Sequence, residues 1–586
     1  MAETLLSPGV LARENDQSFI TSQPVEVGAS IVGPSVKGPV GIPTLVTSYS
    51  DYLATFGGSV MSGSTEYSYL TSVAADNYFK QGGVSLLVTR VVANANDWIS
   101  SFTSASIGED YTENFSYISQ LDAPYSESFS LATISEGALM NNYDVNGDST
   151  GGTLASGSSD NIRWEIASVN TGNGTFSLLV RRGNDKTNEK SVLETFTNLS
   201  LDPKAPNYIE KEIGNTYHTV EQDGDDFYVK SNGTYINKSK YIRVRSVNLK
   251  TPDYFDNNGT AKTEYTGSLP RVGSGSFDGG TGDLFSGEAK FNETISATNI
   301  QGLAPTDYNI SIALLGNKDE YKFNILAAPG LIHNIHASQV NALVSAAEAR
   351  QDCISVIDLR GYNSTIGQVT TAASSFDSSY AATYWPWLQV IDSNTAQTSW
   401  VPTSTMIPGV FAFTDKSSDP WFAPAGLTRG GLGQVVKAER KLTSGNRDSL
   451  YTANVNPIAT FPGTGVVVFG QKTLQKKASA LDRVNVRRLL IALKSYISQV
   501  SDNLVFEQNT IATRNSFLTQ VNPYLESVQQ RQGLYAFKVV MDETNNTAAV
   551  VDRNQLVGQI YLQPTKTAEY IVLDFNVLPT GATFPS

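Results

Sequence analysis

The chain has 586 residues, with 42 lysines and arginines against 56 aspartates and glutamates, so its net charge is −14. This length corresponds to about three or four average domains. The acidic balance argues against wholesale binding to nucleic acid or to an anionic membrane, since both attract basic surfaces. Only 17% of residues are charged, which suits a β-rich protein or one that buries much of its surface in an assembly. One cysteine excludes an intrachain disulfide, and three histidines leave little material for histidine-based catalysis.

The start of the chain is predicted to be an extended arm. Residues 1–20 are polar without a sustained period, and Pro8-Gly9 marks a break. The segment lacks the basic start and long apolar run of a secretory signal, and no stretch of the chain approaches the roughly 18 apolar residues of a membrane span. We therefore expect a protein made in a cytoplasm and not inserted in a membrane.

Residues 21–100 are predicted to be the first part of an α/β core. The sequence indicates strands at 28–34 and 84–92 and helices at 49–56 and 67–79. Ser48 or Ser50 is the expected N-cap of the first helix.

Residues 101–319 are rich in serine, threonine, asparagine, glycine and aspartate, and are predicted to be β-rich material inserted into the core. The alternating runs 162–166, 175–181 and 241–247 indicate half-buried strands. The glycine-rich run 271–287 lacks the Lys-Ser/Thr ending of a phosphate-binding loop, so it is interpreted as an exposed flexible loop.

Residues 320–464 return to an α/β pattern. Buried strands are expected at 323–328, 353–359 and 385–391, with helices between them, which favours a mainly parallel sheet. The strand at 84–92 is a candidate to join that sheet, which would make the core discontinuous.

Residues 465–565 are predicted to be a compact α+β domain, followed by a C-terminal strand and arm at 566–586. Strands are expected at 466–469, 535–541 and 556–562, and two long helices at 486–504 and 511–530, the second interrupted by Pro523. The fold class predicted for the whole chain is therefore α/β and α+β multidomain, with a discontinuous core, a β-rich insertion and extended arms at both ends.

One segment is concentrated in positive charge. Between residues 472 and 494 there are seven basic residues and one acid, Asp482, and the surplus favours contact with an acidic partner over an ordinary solvated helix face. These basic candidates are Lys472, Lys476, Lys477, Arg483, Arg487, Arg488 and Lys494.

The remaining reactive residues have structural interpretations. Cys353 lies in an apolar strand and is expected to be inert. His333 and His336 have the i, i+3 spacing of a shared helix face, but no third ligand is near in sequence, so we predict no metal site and no cofactor. The four tryptophans Trp385, Trp387, Trp400 and Trp421 are expected to pack in the core rather than to form a sugar-binding platform.

Many short motifs, in their order and spacing, resemble the tail sheath proteins of contractile-tailed bacteriophages and related contractile injection systems. They are Leu5–Val10, Gly38-Pro39, Phe56-Gly57, Tyr78–Gly83, Val88–Val91, Leu326–Gly330, Arg350–Asp358, Tyr384–Leu388, Val401–Ser404, Pro408–Ala412, Thr414-Asp415, Trp421–Gly426, Gly470–Leu474, Val486–Leu489 and Asp542–Asn546.

The resemblance implies a structural subunit rather than an enzyme. It implies a homo-oligomer of hexameric rings stacked around a tail tube, with baseplate and tail terminator or neck proteins as further partners, in a virion assembled in the bacterial cytoplasm. It also implies that both arms are strands donated to neighbouring subunits, and an orphan terminal strand at 568–577 fits such β-augmentation. The arm residues expected to contact neighbours are Leu5, Leu6, Pro8, Val10, Tyr570, Val572, Leu573, Phe575 and Val577.

Two other classes of protein compete with a sheath subunit. A surface-layer-type structural protein would share the low charge, but it would need a secretion signal. A hydrolase would need a Ser/His/Asp arrangement, and the positions of the three histidines offer no such context.

Overall fold

The computed structural model describes residues 28–62, 65–92, 102–108, 127–136, 157–224, 226–277 and 295–570. The predicted N-terminal arm and most of the predicted C-terminal strand and arm lie outside these ranges. Among the described residues no helix combines the length and apolar character needed to cross a membrane.

The first segment of the core closely follows its sequence pattern. Ser48 caps the first helix, because its side chain accepts a hydrogen bond from the Asp51 backbone N–H at 3.1 Å. The elements are β1 (Ala29–Gly33), β2 (Thr44–Val46), α1 (Tyr49–Phe56), β3 (Ser59–Ser62), β4 (Thr65–Ser68), α2 (Leu70–Lys80) and β5 (Leu86–Arg90).

The region between the two parts of the core is β-rich, as predicted. The described elements are β6 (Phe102–Gly108), β7 (Glu127–Glu136), β8 (Ile162–Asn170), β9 (Thr175–Arg182), β10 (Val192–Ser200), α3 (Ile209–Ile213), β11 (Tyr217–Asp223), β12 (Asp226–Asn232), β13 (Ile242–Val247), α4 (Thr263–Thr266) and β14 (Gly273–Gly275). The strands form a four-stranded sheet (β10-β9-β8-β14), a three-stranded sheet (β13-β7-β6) and the hairpin β11–β12.

The glycine-rich run differs from its prediction where the structure describes it. Gly273 and Gly275 do not lie in an exposed loop, because they form β14, which pairs with β8. A Cβ atom at Gly275 would lie 2.6 Å from the ring of Trp164, so the close approach of this strand to the buried tryptophan requires glycine. Residues 278–294 lie outside the described ranges.

After residue 300 the chain alternates helices and strands and then ends in a helix pair and a hairpin. The core elements are α5 (Asn309–Leu314), β15 (Ile325–Ile332), α6 (Ala337–Arg350), β16 (Ile354–Asp358), α7 (Ile366–Ala373), β17 (Ala381–Trp385), β18 (Leu388–Ile391), β19 (Thr398–Val401), α8 (Ile407–Ser417), α9 (Gly426–Arg429), β20 (Val435–Ala438), α10 (Ser444–Thr452), β21 (Asn456–Phe461) and β22 (Gly465–Val468). The C-terminal elements are α11 (Val484–Asp502), α12 (Ile511–Gln530), β23 (Leu534–Val540), α13 (Ala548–Val551) and β24 (Gln559–Pro564).

An eight-stranded sheet, here called the core sheet, joins the two separated parts of the core. Its strand order is β2-β5-β1-β15-β16-β17-β21-β22. Strand β1 pairs in parallel with β5, where Ala29 is opposite Leu86, and with β15, where Ala29 is opposite Ile325. The core is therefore discontinuous in sequence, as the predicted fold class requires. Its central strands are buried along their whole length, which is characteristic of parallel strands covered on both faces.

Three predicted elements differ from the structure. The strand predicted at 466–469 was assigned to the C-terminal domain, but β22 pairs with β21 at the edge of the core sheet. The strand predicted at 385–391 is divided between β17 in the core sheet and β18 in a separate three-stranded sheet. Helix α12 continues past Pro523, where an interruption was predicted.

The C-terminal elements, here called the C-terminal module, have a core of their own. Leu489 and Leu493 of α11 pack with Phe517 and Val521 of α12. Trp421, which precedes α9, joins this cluster, and its indole N–H donates to the Arg531 carbonyl at 2.9 Å. Trp421 therefore packs at the junction between core and module, as expected.

Candidate subunit interface

The basic segment 472–494 separates into buried and exposed residues. Arg487 and Arg488 lie in the first turn of α11, where every residue from 484 to 489 is buried between the core and the module. Arg488 donates to both carboxylate oxygens of Asp415, at 2.7 and 2.5 Å, and stacks over Phe411 at 4.7 Å. Arg487 donates to the Ser379 hydroxyl and lies 4.0 Å from the centre of the Tyr380 ring.

The expected basic face is therefore corrected at two positions. Both guanidinium groups are covered by the chain itself, because the start of α11 is sandwiched rather than solvated. The exposed cations of the segment are Lys476, Lys477 and Lys494. A contact of these three lysines with an acidic partner stays a prediction.

Arg483 and Lys472 belong to a third group, which surrounds Glu569. The Arg483 guanidinium donates twice to the Glu569 carboxylate, from Nε to Oε1 at 2.7 Å and from Nη2 to Oε2 at 3.0 Å. Tyr451 donates its hydroxyl to Oε2 at 2.8 Å, and Gln471 donates its Nε2 to Oε1 at 3.1 Å. A bidentate arginine–carboxylate pair with two further donors is among the strongest polar contacts that a protein makes.

We call Glu569, Arg483, Tyr451 and Gln471 the arm clamp, because Glu569 lies near the start of the predicted C-terminal strand and arm at 566–586. The pair is well shielded, with 17% of the Glu569 side chain and 25% of the Arg483 side chain exposed. Lys472 supports the cluster from one side: its ammonium donates to the Tyr451 carbonyl at 2.7 Å and lies 4.4 Å from the ring centre.

The electrostatics of the arm clamp favour the ion pair. Burial by itself raises the pKa of Glu569, but the hydrogen bonds from Arg483, Gln471 and Tyr451 outweigh it and leave the pKa below its ordinary value. Burial and the carboxylate of Glu569 both raise the pKa of Tyr451. Burial and the neighbouring Arg483 lower the pKa of Lys472.

The hairpin β23–β24 presents open sheet edges. It is a two-stranded antiparallel sheet in which Phe537 is opposite Leu562, and neither strand pairs with another strand of the described chain. Exposed and half-buried residues alternate along β24, and Tyr535 and Tyr561 are 63% and 57% exposed. Unpaired backbone groups on such an edge are ready to accept a further strand.

A cleft of about 880 Å³ lies where the described chain begins. It separates the amino ends of the core-sheet strands from helix α11, and Gly28, Asn324, Asp415 and Arg488 are among the residues that line it. Gly28, the first described residue, therefore lies at the junction between the core and the C-terminal module.

The arm residues predicted from sequence mostly lie outside the described residues. This applies to Leu5, Leu6, Pro8, Val10, Val572, Leu573, Phe575 and Val577. Tyr570 is described and is 78% exposed, so its role in a contact between subunits stays a prediction.

The other reactive side chains have internal structural roles. Cys353 is fully buried, and burial raises the pKa of its thiol to about 12, as expected of an inert thiol. His336 accepts the Ile332 backbone N–H at Nδ1 and contacts the Ser296 carbonyl through Nε2 at 2.7 Å. His333 packs edge-on against Phe376. Within the described ranges no group of three acidic, histidine or cysteine side chains is arranged to hold a metal ion.

Asp358 and Ser404 are in contact, but the arrangement differs from a hydrolase triad. The Asp358 carboxylate accepts hydrogen bonds directly from the Ser404 hydroxyl at 2.5 Å and from the Thr403 hydroxyl at 2.8 Å. In a triad a histidine stands between the two groups and takes the serine proton. Here the carboxylate ties the turn before α8 to the end of β16.

Comparison with known families assigns the second half of the chain. Residues 303–474 match the family model described as the phage tail sheath protein central domain, and residues 476–577 match the phage tail sheath C-terminal domain. Residues 303–577 are thus similar, almost throughout, to the central and C-terminal domains of phage tail sheath proteins. The arm clamp spans both domains: Tyr451 and Gln471 lie in the central one, and Arg483 and Glu569 in the C-terminal one.

Individual relatives agree with this assignment. The chain is 30% identical over 367 residues to the tail sheath protein of Vibrio phage KVP40, and the match covers 58% of this chain and 52% of that protein. It is 36% identical over 259 residues to the tail sheath protein of Enterobacteria phage T4, covering 41% of this chain and 39% of that protein. The matched regions thus span about half or less of these relatives' lengths.

A solved structure extends the likeness of fold beyond the two matched domains. The sheath tail protein from Listeria innocua covers 92% of this chain and 96% of its own, with a TM-score of 0.53 and 9% identity. At this identity the likeness concerns the fold alone, and it supports the predicted multidomain α/β class.

Sequence reasoning identified the C-terminal region of the sheath chain as functional but missed the arm clamp. Arg483 was assigned to a basic face, and Glu569, Tyr451 and Gln471 were not singled out. Glu569 lies 86 residues from Arg483 and 118 from Tyr451, so no local pattern joins them. The only local indication of the arm clamp in the sequence is that Arg483 directly follows Asp482, the one acidic residue in the basic segment 472–494.

Proposed function

We propose that this chain is the structural subunit of a contractile phage tail sheath. It polymerises as stacked hexameric rings around the tail tube in a metastable extended state. It then contracts and drives the tube through the host cell envelope for genome delivery. The observation that carries this proposal is the hairpin β23–β24, whose strands pair with no other described strand, in a chain whose residues 303–474 and 476–577 match the two sheath domains.

The hairpin and the arms supply a mechanism for continuous linkage. An arm strand from one subunit adds to the edge of β23 or β24 of another, and each hydrogen bond formed contributes about 0.5–1.5 kcal/mol net. Such a head-to-tail contact is heterologous, so it propagates into rings or helical strands instead of closing as a dimer. Subunits linked in this way stay connected while their rigid cores rotate.

Contraction follows from two alternative packings of whole subunits. The buried core sheet moves as one body, and the energy is stored in the interfaces between subunits. The extended state persists because a barrier separates it from the contracted state. No cofactor, nucleic-acid contact or enzymatic step enters this mechanism.

The proposed partners follow from the same role. They are further copies of the chain, the tail tube protein, the baseplate and the tail terminator or neck proteins, in a virion assembled in the host cytoplasm. The exposed lysines Lys476, Lys477 and Lys494 are the candidates for an acidic face of the tube or of a neighbouring subunit. A contact of this kind weakens with salt and can be released and remade.

Negative-stain microscopy of the purified chain tests the proposal. The full chain is expected to form tubes or stacked rings, and variants lacking residues 1–20 or 571–586 are expected to stay folded but unassembled. A matched control replaces residues 571–586 with a glycine–serine linker of equal length, which keeps the reach but removes the strand-forming side chains. Normal tubes from both truncated variants would sink the arm-exchange mechanism, and a monodisperse monomer from the full chain would count against the sheath role.

A further inference from the structure

The chain between the hairpin and residue 570 is fixed at two separate places. At the first, Thr565 stays with the C-terminal module: its N–H donates to the Gly533 carbonyl at 3.2 Å and its hydroxyl to the Gln532 carbonyl at 2.7 Å. At the second, Thr567 accepts a hydrogen bond from Gln471 at 2.6 Å, and Glu569 enters the arm clamp. Residues 565–569 therefore form a strap that leaves the module and returns to the core.

The receiving side of the clamp is assembled from two separate parts of the core and from the residue that precedes the C-terminal module. Tyr451 comes from the end of α10, Gln471 follows β22, and Arg483 immediately precedes α11. Each is anchored by other contacts: Lys472 donates to the Tyr451 carbonyl, the Gln471 carbonyl accepts the Val484 N–H at 2.8 Å, and the Asp482 carboxylate lies 3.0 Å from Arg483 Nη1. The site is thus organised by the core, and Glu569 is the ligand that the strap delivers to it.

We propose that the arm clamp is an anchoring site that sets the origin, and hence the usable length, of the C-terminal arm offered to a neighbouring copy of this chain. Glu569 is its positioning residue. This inference rests on the proposed sheath function and adds to it the group that determines where the exchanged arm begins.

The length effect follows from chain geometry. With the clamp closed, the arm begins directly after Glu569. With the clamp open, the next fixed residue is Thr565, and the four extra residues add about 13–14 Å of slack. Slack lowers the effective concentration of the arm at its target edge, and it permits register slips that turn side chains to the wrong face of the sheet.

Trypsin cleavage measures the opening of the clamp without any need for assembly. Lys566 lies inside the strap, and its side chain is exposed. Cleavage after Lys566 requires the strap to open, so its rate follows the open population. We expect Glu569→Gln to be cut there about tenfold faster or more, since it loses the charge of a bidentate pair. The matched control Glu526→Gln, on the exposed face of α12, is expected to be cut at the original rate. Equal rates in all three proteins would overturn the inference.

An assembly experiment then tests whether the clamp sets the origin of the C-terminal arm. A variant with Gly-Ser-Gly-Ser inserted after Tyr570 keeps the clamp but adds the same four residues of slack. Both this insertion and Glu569→Gln are expected to raise the concentration needed for tube formation several-fold, whereas Glu526→Gln leaves it unchanged. If Glu569→Gln fails to fold, Gln471→Ala replaces it, because it removes the hydrogen bonds to Thr567 and Glu569 and leaves the Arg483–Glu569 ion pair.

The outcomes separate this inference from the sheath proposal. Faster cleavage with normal tubes from Glu569→Gln would show that the clamp does not position the arm, and the sheath role would stand. Failure of the unmodified chain to form tubes would remove the sheath role, while the proteolysis result would still report on the clamp.

Discussion

The core sheet and the hairpin β23–β24 are both β-structure in one chain, yet they differ in how completely their strands are paired. In the core sheet, β1 has a parallel partner on each side and all five of its residues are buried. In the hairpin, each strand has one described partner, and exposed residues alternate along β24. The core sheet has no room for another strand in its centre, whereas each strand of the hairpin has an outer edge that no described strand covers.

This difference separates rigidity from connectivity. A strand buried on both faces and bonded on both sides resists local opening, so the core sheet can transmit force as a unit. An isolated two-stranded sheet is at best marginally stable in water, and this hairpin relies on packing against α12. Addition of a strand would stabilise the hairpin and link two subunits at the same time.

Truncation of a buried side chain in a strand of the core sheet should give the largest effect on the free energy of unfolding. Ile354 is fully buried in β16, and we expect Ile354→Ala to lower the free energy of unfolding by about 2–5 kcal/mol. Tyr561→Ala, in the exposed hairpin, should change it by less than about 0.5 kcal/mol but weaken assembly. Denaturant unfolding of both variants measures the contrast, and equal destabilisation would contradict it.

The buried ion pair at the junction should give the next effect. Asp415→Asn leaves the Arg488 guanidinium buried with a weaker partner, and we expect a loss of about 2–3 kcal/mol. Asp419→Asn is the matched control, because it pairs with Arg531 at 2.7 Å and the Arg531 side chain is 48% exposed. Its expected cost is about 0–1 kcal/mol. Thermal melts measure the two effects. Equal melting temperatures for the two variants would show that the junction is not tightly packed.

Removal of a single donor from the arm clamp should cost less. Tyr451→Phe keeps the ring that Lys472 covers but loses the hydrogen bond to Glu569, which contributes about 1–2 kcal/mol to closure of the clamp. Hydrogen exchange of residues 565–570 should then rise, while that of the core sheet stays constant. An unchanged exchange rate in the strap would mean that Arg483 alone keeps it closed.

Opening of the clamp by acid should be the smallest of these effects. Because the pKa of Glu569 in the fold is below its ordinary value of 4.5, its contribution to stability is fully present above that value and is lost as the pH falls through the lower folded pKa. The groups around it that bear charge or titrate are Arg483, Tyr451, Lys472, Asp482 and Tyr570. We expect the opening of the strap, measured as its exchange rate relative to the intrinsic rate at each pH, to be constant between pH 7 and 5 and to rise only below the ordinary value of 4.5. A rise already at pH 6 would point to another group.

The sequence predicted those parts of the molecule that depend on local pattern. The apolar run at 353–359 became β16, and Ser48 followed by a periodic segment became a capped helix. Arg487 and Arg488 were misplaced because charge along a helix does not reveal which face a second domain will cover. The clamp was missed because it depends on residues from 451 to 569 that meet only after the module has packed on the core.

The strand order of the core sheet has a consequence for how the subunit is made. Strand β1 lies between β5 and β15, and its partner in β15 is encoded 296 residues later, since Ala29 is opposite Ile325. At a synthesis rate of about 5–20 residues per second, β1 waits roughly 15–60 s on the ribosome for that partner. The β-rich insertion emerges during this interval, and the hairpin β23–β24, which we propose as the acceptor of a neighbour's strand, emerges after it. A nascent subunit therefore has no acceptor hairpin until the strands of its core sheet are available, and under the proposed strand exchange the order of synthesis delays the capture of a neighbour's arm.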